Sequence, residues 1–149
     1  PIEELERDIH SCGFYRMKAR NIMGLCRRLI EEHGGAVPGT MQELLRLPGV
    51  GRKTANVVLG DCFQTQGVVV DTHCGRLARR MGFTTNADPQ KVEQDLMKVW
   101  PPDRWSLFSH LMVFHGRAVC TSRVPKCSQC EIAELCPFPA SPEGRKVAS

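Results

Sequence analysis

Two side chains in this sequence combine a residue type and a setting suited to covalent chemistry. Lys53 lies just beyond Leu47-Pro48-Gly49-Val50-Gly51, in the first turn of the helix that this segment opens. The positive helix terminus and the neighbouring Arg52 both disfavour an ammonium there, and partial burial would act in the same direction. An amine nucleophile needs that help, because a free lysine with a pKa of about 10.4 is almost wholly protonated near neutrality. The competing reading is a solvated surface lysine, which most lysines are. Asp71 stands at the N-cap of a later helix, where its carboxylate accepts amide hydrogen bonds and faces a positive dipole. On the residues alone, a plain cap worth about 1 kcal/mol is the favoured account of Asp71.

A second constellation is made of thiols. Of the eight cysteines, Cys12, Cys26, Cys62 and Cys74 are scattered, while Cys120, Cys127, Cys130 and Cys136 follow the spacing C-x6-C-x2-C-x5-C. A secreted disulfide scaffold would usually be smaller, with cysteines along its whole length. Four clustered thiols at the end of a helical chain point to metal ligation instead. Cys127 and Cys130 form a typical chelating turn, and four thiolates without histidine suit tetrahedral zinc or a [4Fe–4S] cluster equally well. The histidines, His10, His33, His73, His110 and His115, form no ligand spacing.

The segment 47–51 has a chemistry of its own. Gly49 and Gly51 permit a tight turn, and they let a phosphate approach the amides at the start of the next helix. Such a hairpin grips a nucleic-acid backbone without reading its sequence. A plain corner between two helices makes the same demand for glycine. A nucleotide-binding P-loop is excluded, since that motif needs glycine directly before its lysine and Arg52 occupies the place.

The elements that must position these groups read as helix after helix. Ile2, Leu5 and Ile9 fit a short amphipathic helix. Ala19, Ile22, Leu25, Cys26, Leu29 and Ile30 trace a longer stripe ended by Gly34-Gly35. Thr40 with Glu43 forms a capping box. Gly51 to Leu59 is expected as a helix that stops at Gly60, and Asp71 caps one carrying Cys74, Leu77, Ala78 and Met81 on one face. Asp88-Pro89 opens another, and the last long helix holds Trp105, Phe108, Leu111 and Met112. Trp100, Trp105 and Phe108 are expected in the core. Gly67-Val68-Val69-Val70 could be a strand on composition alone, but with no alternating segments the chain is read as all-α. The tail after Pro139 is expected to be disordered.

With 149 residues the chain has room for one domain, or one domain plus a small metal-stapled appendage. No apolar run approaches the roughly 20 residues that span a bilayer, so an intracellular protein is expected. The net charge of +4 is mild. Basic groups recur at Arg52 and Lys53, at Arg76, Arg79 and Arg80, and at Arg123 and Lys126. Each group alone reads as a solvated helix face, and together they suit phosphate only if they share one side.

Taken together, the motifs resemble those of the endonuclease III family of DNA glycosylase/AP lyases. Leu47 to Leu59 is similar to that family's helix-hairpin-helix nearly residue for residue. Val70-Asp71-Thr72-His73 resembles its second signature. Gly13-Phe14-Tyr15 with Lys18-Ala19 is similar to an upstream segment, and His115-Gly116-Arg117 to one just before the cysteines. The resemblance runs to about Pro137. It implies a helix-hairpin-helix glycosylase domain over 1–115, a [4Fe–4S] lobe over 116–138 with Cys120, Cys127, Cys130 and Cys136 as ligands, and a tail over 139–149. It implies base-excision repair of oxidised pyrimidines in duplex DNA, by a protein acting as a monomer. The lysine matching Lys53 attacks C1′ of a flipped nucleotide and forms a Schiff base, and β-elimination then cuts the strand. The aspartate matching Asp71 assists. Leu47, Pro48, Gly49, Val50 and Gly51, with Arg123 and Lys126 on the loop between the first two ligands, are the implied DNA contacts. The adenine-excising branch lacks this lysine, and the 8-oxoguanine glycosylases generally lack the cysteines. Family members also carry a further N-terminal segment that packs against the cluster lobe and supplies a glutamine wedge. The sequence here, opening on Pro1, is expected to start after it. The alternative is a non-enzymatic helix-hairpin-helix DNA-binding module with a structural four-cysteine metal site.

Overall fold

Short polar side chains set where α-helices begin at Thr40, Asp71 and Asp88. In the computed structural model, which describes residues 1–65 and 67–148, the Glu43 amide donates to Thr40 Oγ1 at 3.3 Å, and the Thr40 hydroxyl donates to the Glu43 carboxylate. The Cys74 amide donates to Asp71 Oδ1 at 2.8 Å, and the Lys91 amide to Asp88 Oδ1 at 3.0 Å. Each of the three amide bonds satisfies a first-turn donor that has no partner in the helical ladder. The elements are α1 (Ile2–Asp8), α2 (Tyr15–His33), α3 (Met41–Leu44), α4 (Arg52–Phe63), α5 (Thr72–Arg80), α6 (Pro89–Val99), α7 (Trp105–Ala118) and α8 (Pro142–Ala148), with short 3-10 turns between α7 and α8. There is no strand among the described residues, as an all-α reading requires.

Two local expectations change. α4 passes through Gly60 and ends at Phe63, because a lone glycine costs a helix only about 1 kcal/mol. Gly67–Val70 pairs with no strand. Val68 is instead fully buried, and the Val69 amide donates to Ser109 Oγ at 2.9 Å, so the valines serve a buried connection.

The chain divides into two compact units, Pro1–Phe63 and Gln64–Ser149. In the first, Leu44, Leu47, Ala55 and Leu59 form the core, with Leu25 and Leu29 of α2 packed against them. Ile22 and Ile30 of the same stripe remain exposed, since α3 and α4 cover only part of it within this unit. In the second, α5, α6 and α7 enclose Val68, Cys74, Leu77, Ala78, Val92, Leu96, Phe108 and Met112. Trp100 stacks on Phe108 with ring centroids 4.7 Å apart, and Trp105 Nε1 donates to the Trp100 carbonyl at 2.7 Å, so these aromatics do belong to the core. Cys74 is fully buried there, and burial, followed by the nearby Asp71 charge, pushes its thiol up to about 12.

The boundary expected between 115 and 116 lies inside α7, whose continuous helix contributes to the core of the second unit. The tail also differs from expectation. Phe138 is buried, Ser141 Oγ accepts the Gly144 amide at 3.0 Å, and α8 follows. Ser141 with Pro142 is an N-cap followed by proline at the first helical position, a start signal in its own right. Ser149 lies outside the described residues.

Asp95 on α6 accepts hydrogen bonds from Thr84 Oγ1 at 2.6 Å and Asn86 Nδ2 at 2.7 Å, pinning the turn after α5. These bonds, Thr84's foremost, hold its carboxyl below the usual range. A depressed folded pKa gives stability that is present above the ordinary carboxylate pKa of about 3.9. That stability is lost as pH falls through the lowered value. Acid unfolding of Asp95→Asn should therefore show a flatter dependence on pH than the parent. Leu77→Ala, at a fully buried site, should cost about 2–5 kcal/mol in denaturant unfolding, and Asp88→Ala about 1 kcal/mol.

Candidate nucleic-acid interface and four-cysteine centre

The hairpin of the first unit is anchored by its first residue. Leu47 is buried in the core, and the Val50 amide donates to the Leu47 carbonyl at 3.1 Å to close the turn. Gly49 has φ +75°, and a Cβ there would stand 2.8 Å from Asn21 Cβ. Conformation and space thus both demand glycine. Gly51 differs. Its φ is not positive, and a Cβ there would meet nothing within 4 Å. Its lack of a side chain leaves the backbone open to approach where α4 begins, beside amides that carry the positive end of the helix dipole.

α2 receives the hairpin. A Cβ on Gly24 would sit 3.3 Å from Pro48 Cγ, so Gly24 and Asn21, three residues apart on one helix face, shape the seat for Pro48-Gly49. Neither residue stands out in the sequence, because each meets a partner far along the chain. Phe14 was likewise noted only as part of a motif. It precedes α2 with φ 58° and is 81% exposed. A bulky residue held in the left-handed region with its ring in solvent is a frequent mark of a functional contact. Lys53, in the first turn of α4, is also exposed.

In the second unit, Asp71 is half-buried and caps α5. The same helix presents Arg76, whose Nη2 lies 3.2 Å from His73 Nδ1 and donates to the carbonyls of Gly116 at 3.0 Å and Cys120 at 2.9 Å. Burial, reinforced by the charge of Arg80 and opposed by Cys120 and Asp71, lowers the Arg76 pKa below its ordinary range. α7 passes this group closely at Gly116, where a Cβ would be 3.0 Å from His73 Cβ and 3.2 Å from Arg76 Nη2.

Cys120, Cys127, Cys130 and Cys136 line one cavity. Their proximity is electrostatic as well: burial first, and then Cys120, Cys130 and Cys136, push the Cys127 thiol up. His115 Nε2 is 3.7 Å from Cys130 Sγ, which makes it a neighbour of the thiols that spacing alone does not reveal. Among the described residues, no three Cys, His, Asp or Glu side chains gather around a single-ion point. The remaining lining includes apolar Val119, Pro125, Ile132 and Phe138, together with the cation Arg80. An all-sulfur donor set with a cation in its wall fits the chemistry of an iron–sulfur cluster. Arg123 and Lys126 are exposed on the loop between the first two cysteines, where the Lys126 amide donates to the Val119 carbonyl at 3.0 Å and Pro125 is buried.

Residues 1–102 match the model of the HhH-GPD superfamily of base excision DNA repair proteins. The chain belongs to that family. Within it, the chain is 54% identical over 136 residues to endonuclease III of Synechocystis sp., covering 91% of this chain and 62% of that protein. It is 44% identical to endonuclease III of Bacillus subtilis, over 91% of this chain and 63% of the relative. The chain therefore spans somewhat less than two thirds of these relatives. Among solved structures, a trapped endonuclease III–DNA covalent intermediate superposes with a TM-score of 0.90 at 45% identity, over all of this chain and 68% of that one. A thermostable thymine-DNA glycosylase superposes at 0.82 and 27% identity, over 93% of this chain and 65% of its own. For an HhH-GPD hairpin built this way, Gly49→Ala should lose about 1–2 kcal/mol from the left-handed backbone alone. Gly51→Ala should leave the melting temperature close to that of the parent.

Proposed function

We propose that this chain carries the chemistry of a bifunctional DNA glycosylase/AP lyase acting on oxidised pyrimidines in duplex DNA. The observation that carries the reading is Lys53, an exposed amine in the first turn of α4 directly after the hairpin, in a chain 45% identical to a protein trapped as a covalent DNA intermediate. The neutral Lys53 amine attacks C1′ of the damaged nucleotide. The C1′–N bond to the base breaks, and the base leaves with its electron pair and gains a proton. The sugar ring opens to a Schiff base on Nζ. Loss of a C2′ proton then expels the 3′ phosphate by β-elimination, and water later releases the enzyme. Asp71 is the carboxylate that takes a proton from the amine and stabilises positive charge growing on the sugar.

Leu47, Pro48, Gly49, Val50 and Gly51 hold the DNA backbone at the head of α4, and Arg123 and Lys126 add phosphate contacts. Cys120, Cys127, Cys130 and Cys136 are the ligands of a [4Fe–4S] cluster. When bound, that group supplies a rigid staple for the loop carrying those two cations. No membrane partner is proposed, and among the described residues no helix is long and apolar enough to cross a membrane.

Borohydride reduction in the presence of duplex DNA containing an oxidised pyrimidine tests the enzyme. The expected result is a covalent protein–DNA product, absent in Lys53→Gln and formed at least 10-fold more slowly in Asp71→Asn. A full yield of product from Lys53→Gln would remove Lys53 as the nucleophile. Duplex binding without any covalent product would instead favour the non-enzymatic DNA-binding reading. Gly51→Ala should weaken duplex binding while leaving the fold intact. Neutralising Arg123 and Lys126 together should reduce the salt dependence of binding by about one unit of slope for each. Iron analysis and visible absorbance decide between iron and zinc in the four-cysteine centre.

A further inference from the structure

α5 ends on Arg80, a cation with only 8% of its surface exposed. Its Nη1 donates to Cys120 Sγ at 3.4 Å and to the Thr121 carbonyl at 2.7 Å, and its Nη2 donates to the Ser122 carbonyl at 3.1 Å. The guanidinium lies over the Phe138 ring, 4.3 Å from its centroid. Its own carbonyl is 3.8 Å from Cys136 Sγ. The carboxylate within reach is Glu143, 3.8 Å away on a side chain that is 72% exposed.

A buried charge is tolerated when an opposite charge and good hydrogen bonds surround it. A long, solvent-exposed pair such as Arg80–Glu143 supplies little of that compensation. Thiolates at the four-cysteine centre supply it directly, and Arg80 already donates to the sulfur of one of them. Hydrogen bonds to ligand sulfur, local charge and solvent access are the levers by which a protein sets the potential of such a centre.

We propose that Arg80 is the built-in counter-charge of the four-cysteine centre and that it raises the reduction potential of the cluster held there. This rests on the iron–sulfur reading above. A fixed positive charge stabilises the form carrying one more electron. With Arg80 in place the centre is therefore easier to reduce and harder to oxidise. The same guanidinium holds the Thr121 and Ser122 carbonyls, so it is a positioning residue for the loop that presents Arg123 and Lys126.

The test is voltammetry of the 149-residue chain carrying its cluster, with the electrode as the source and sink of the single electron. Arg80→Met should shift the midpoint to a more negative value. Glu143→Gln, at an exposed site, should shift it to a more positive one, because it removes the anion that partly offsets Arg80. Opposite signs are a signature of charge, and a purely structural role would lower the iron content without moving the midpoint of the clusters that remain. Iron-loaded Arg80→Met with an unchanged or higher midpoint would overturn the proposal. Should Arg80→Met fail to keep its iron, Arg80→Gln decides, because it keeps amide donors for the Thr121 and Ser122 carbonyls without the charge, and an unchanged or higher midpoint there overturns the proposal equally. Parent protein that carries zinc, or no iron, would overturn the cluster reading itself, an outcome that iron analysis distinguishes from a failure of Arg80.

Discussion

Where α7 ends at Ala118, the chain turns and leaves carbonyl oxygens that no further helical turn can satisfy, and two arginines of α5 take them. Arg76 binds the carbonyls of Gly116 and Cys120, and Arg80 those of Thr121 and Ser122. Unpaired buried carbonyls and unpaired buried guanidinium groups are both costly, so each resolves the other. The arrangement fixes α5 against the end of α7 and sets the start of the cysteine-bearing segment. Cations in the last turn of a helix are also favoured by its dipole. One nine-residue helix thus has the Asp71 carboxylate at its head and the support of the thiol centre at its foot.

The first unit solves a different problem, which is to expose backbone without losing rigidity. Burial of Leu47 and the contact of Pro48 with Gly24 hold the hairpin from below, while Gly49 and Gly51 keep its outer side bare. The two glycines are not equivalent. Gly49 is required by its own conformation and by Asn21, whereas nothing in the fold crowds Gly51. Open space at Gly51 leaves the start of α4 uncovered.

Features set by near neighbours in the chain could be read from the sequence. The caps at Thr40, Asp71 and Asp88, the hairpin, and the grouping of four cysteines depend on residues a few positions apart, and each is present, with the one change that the Glu43 carboxylate accepts the Thr40 hydroxyl and not a backbone amide. Features set by distant residues could not. Arg80 meets Cys120 across 40 positions, and Gly24 makes room for a proline on another element. Neither leaves a periodic or local pattern. The division at Phe63–Gln64 was also hidden, because it depends on which helices pack together and not on any local break in composition. The helix after Ser141 was missed for a simpler reason: a cap and a proline were present, and a polar composition outweighed them.

Cys74 lies on the same short helix as Asp71, Arg76 and Arg80, fully buried and with its thiol pushed up to about 12. Metal capture and oxidation both begin from thiolate, and at any physiological pH Cys74 offers none. An accessible sulfur on this helix would be one more thiol open to a metal or a disulfide. The core prevents this by keeping the thiol protonated and out of reach. At this one position exclusion is built into the core: the packing of Leu77, Val92 and their neighbours withholds one of the eight sulfurs from such chemistry.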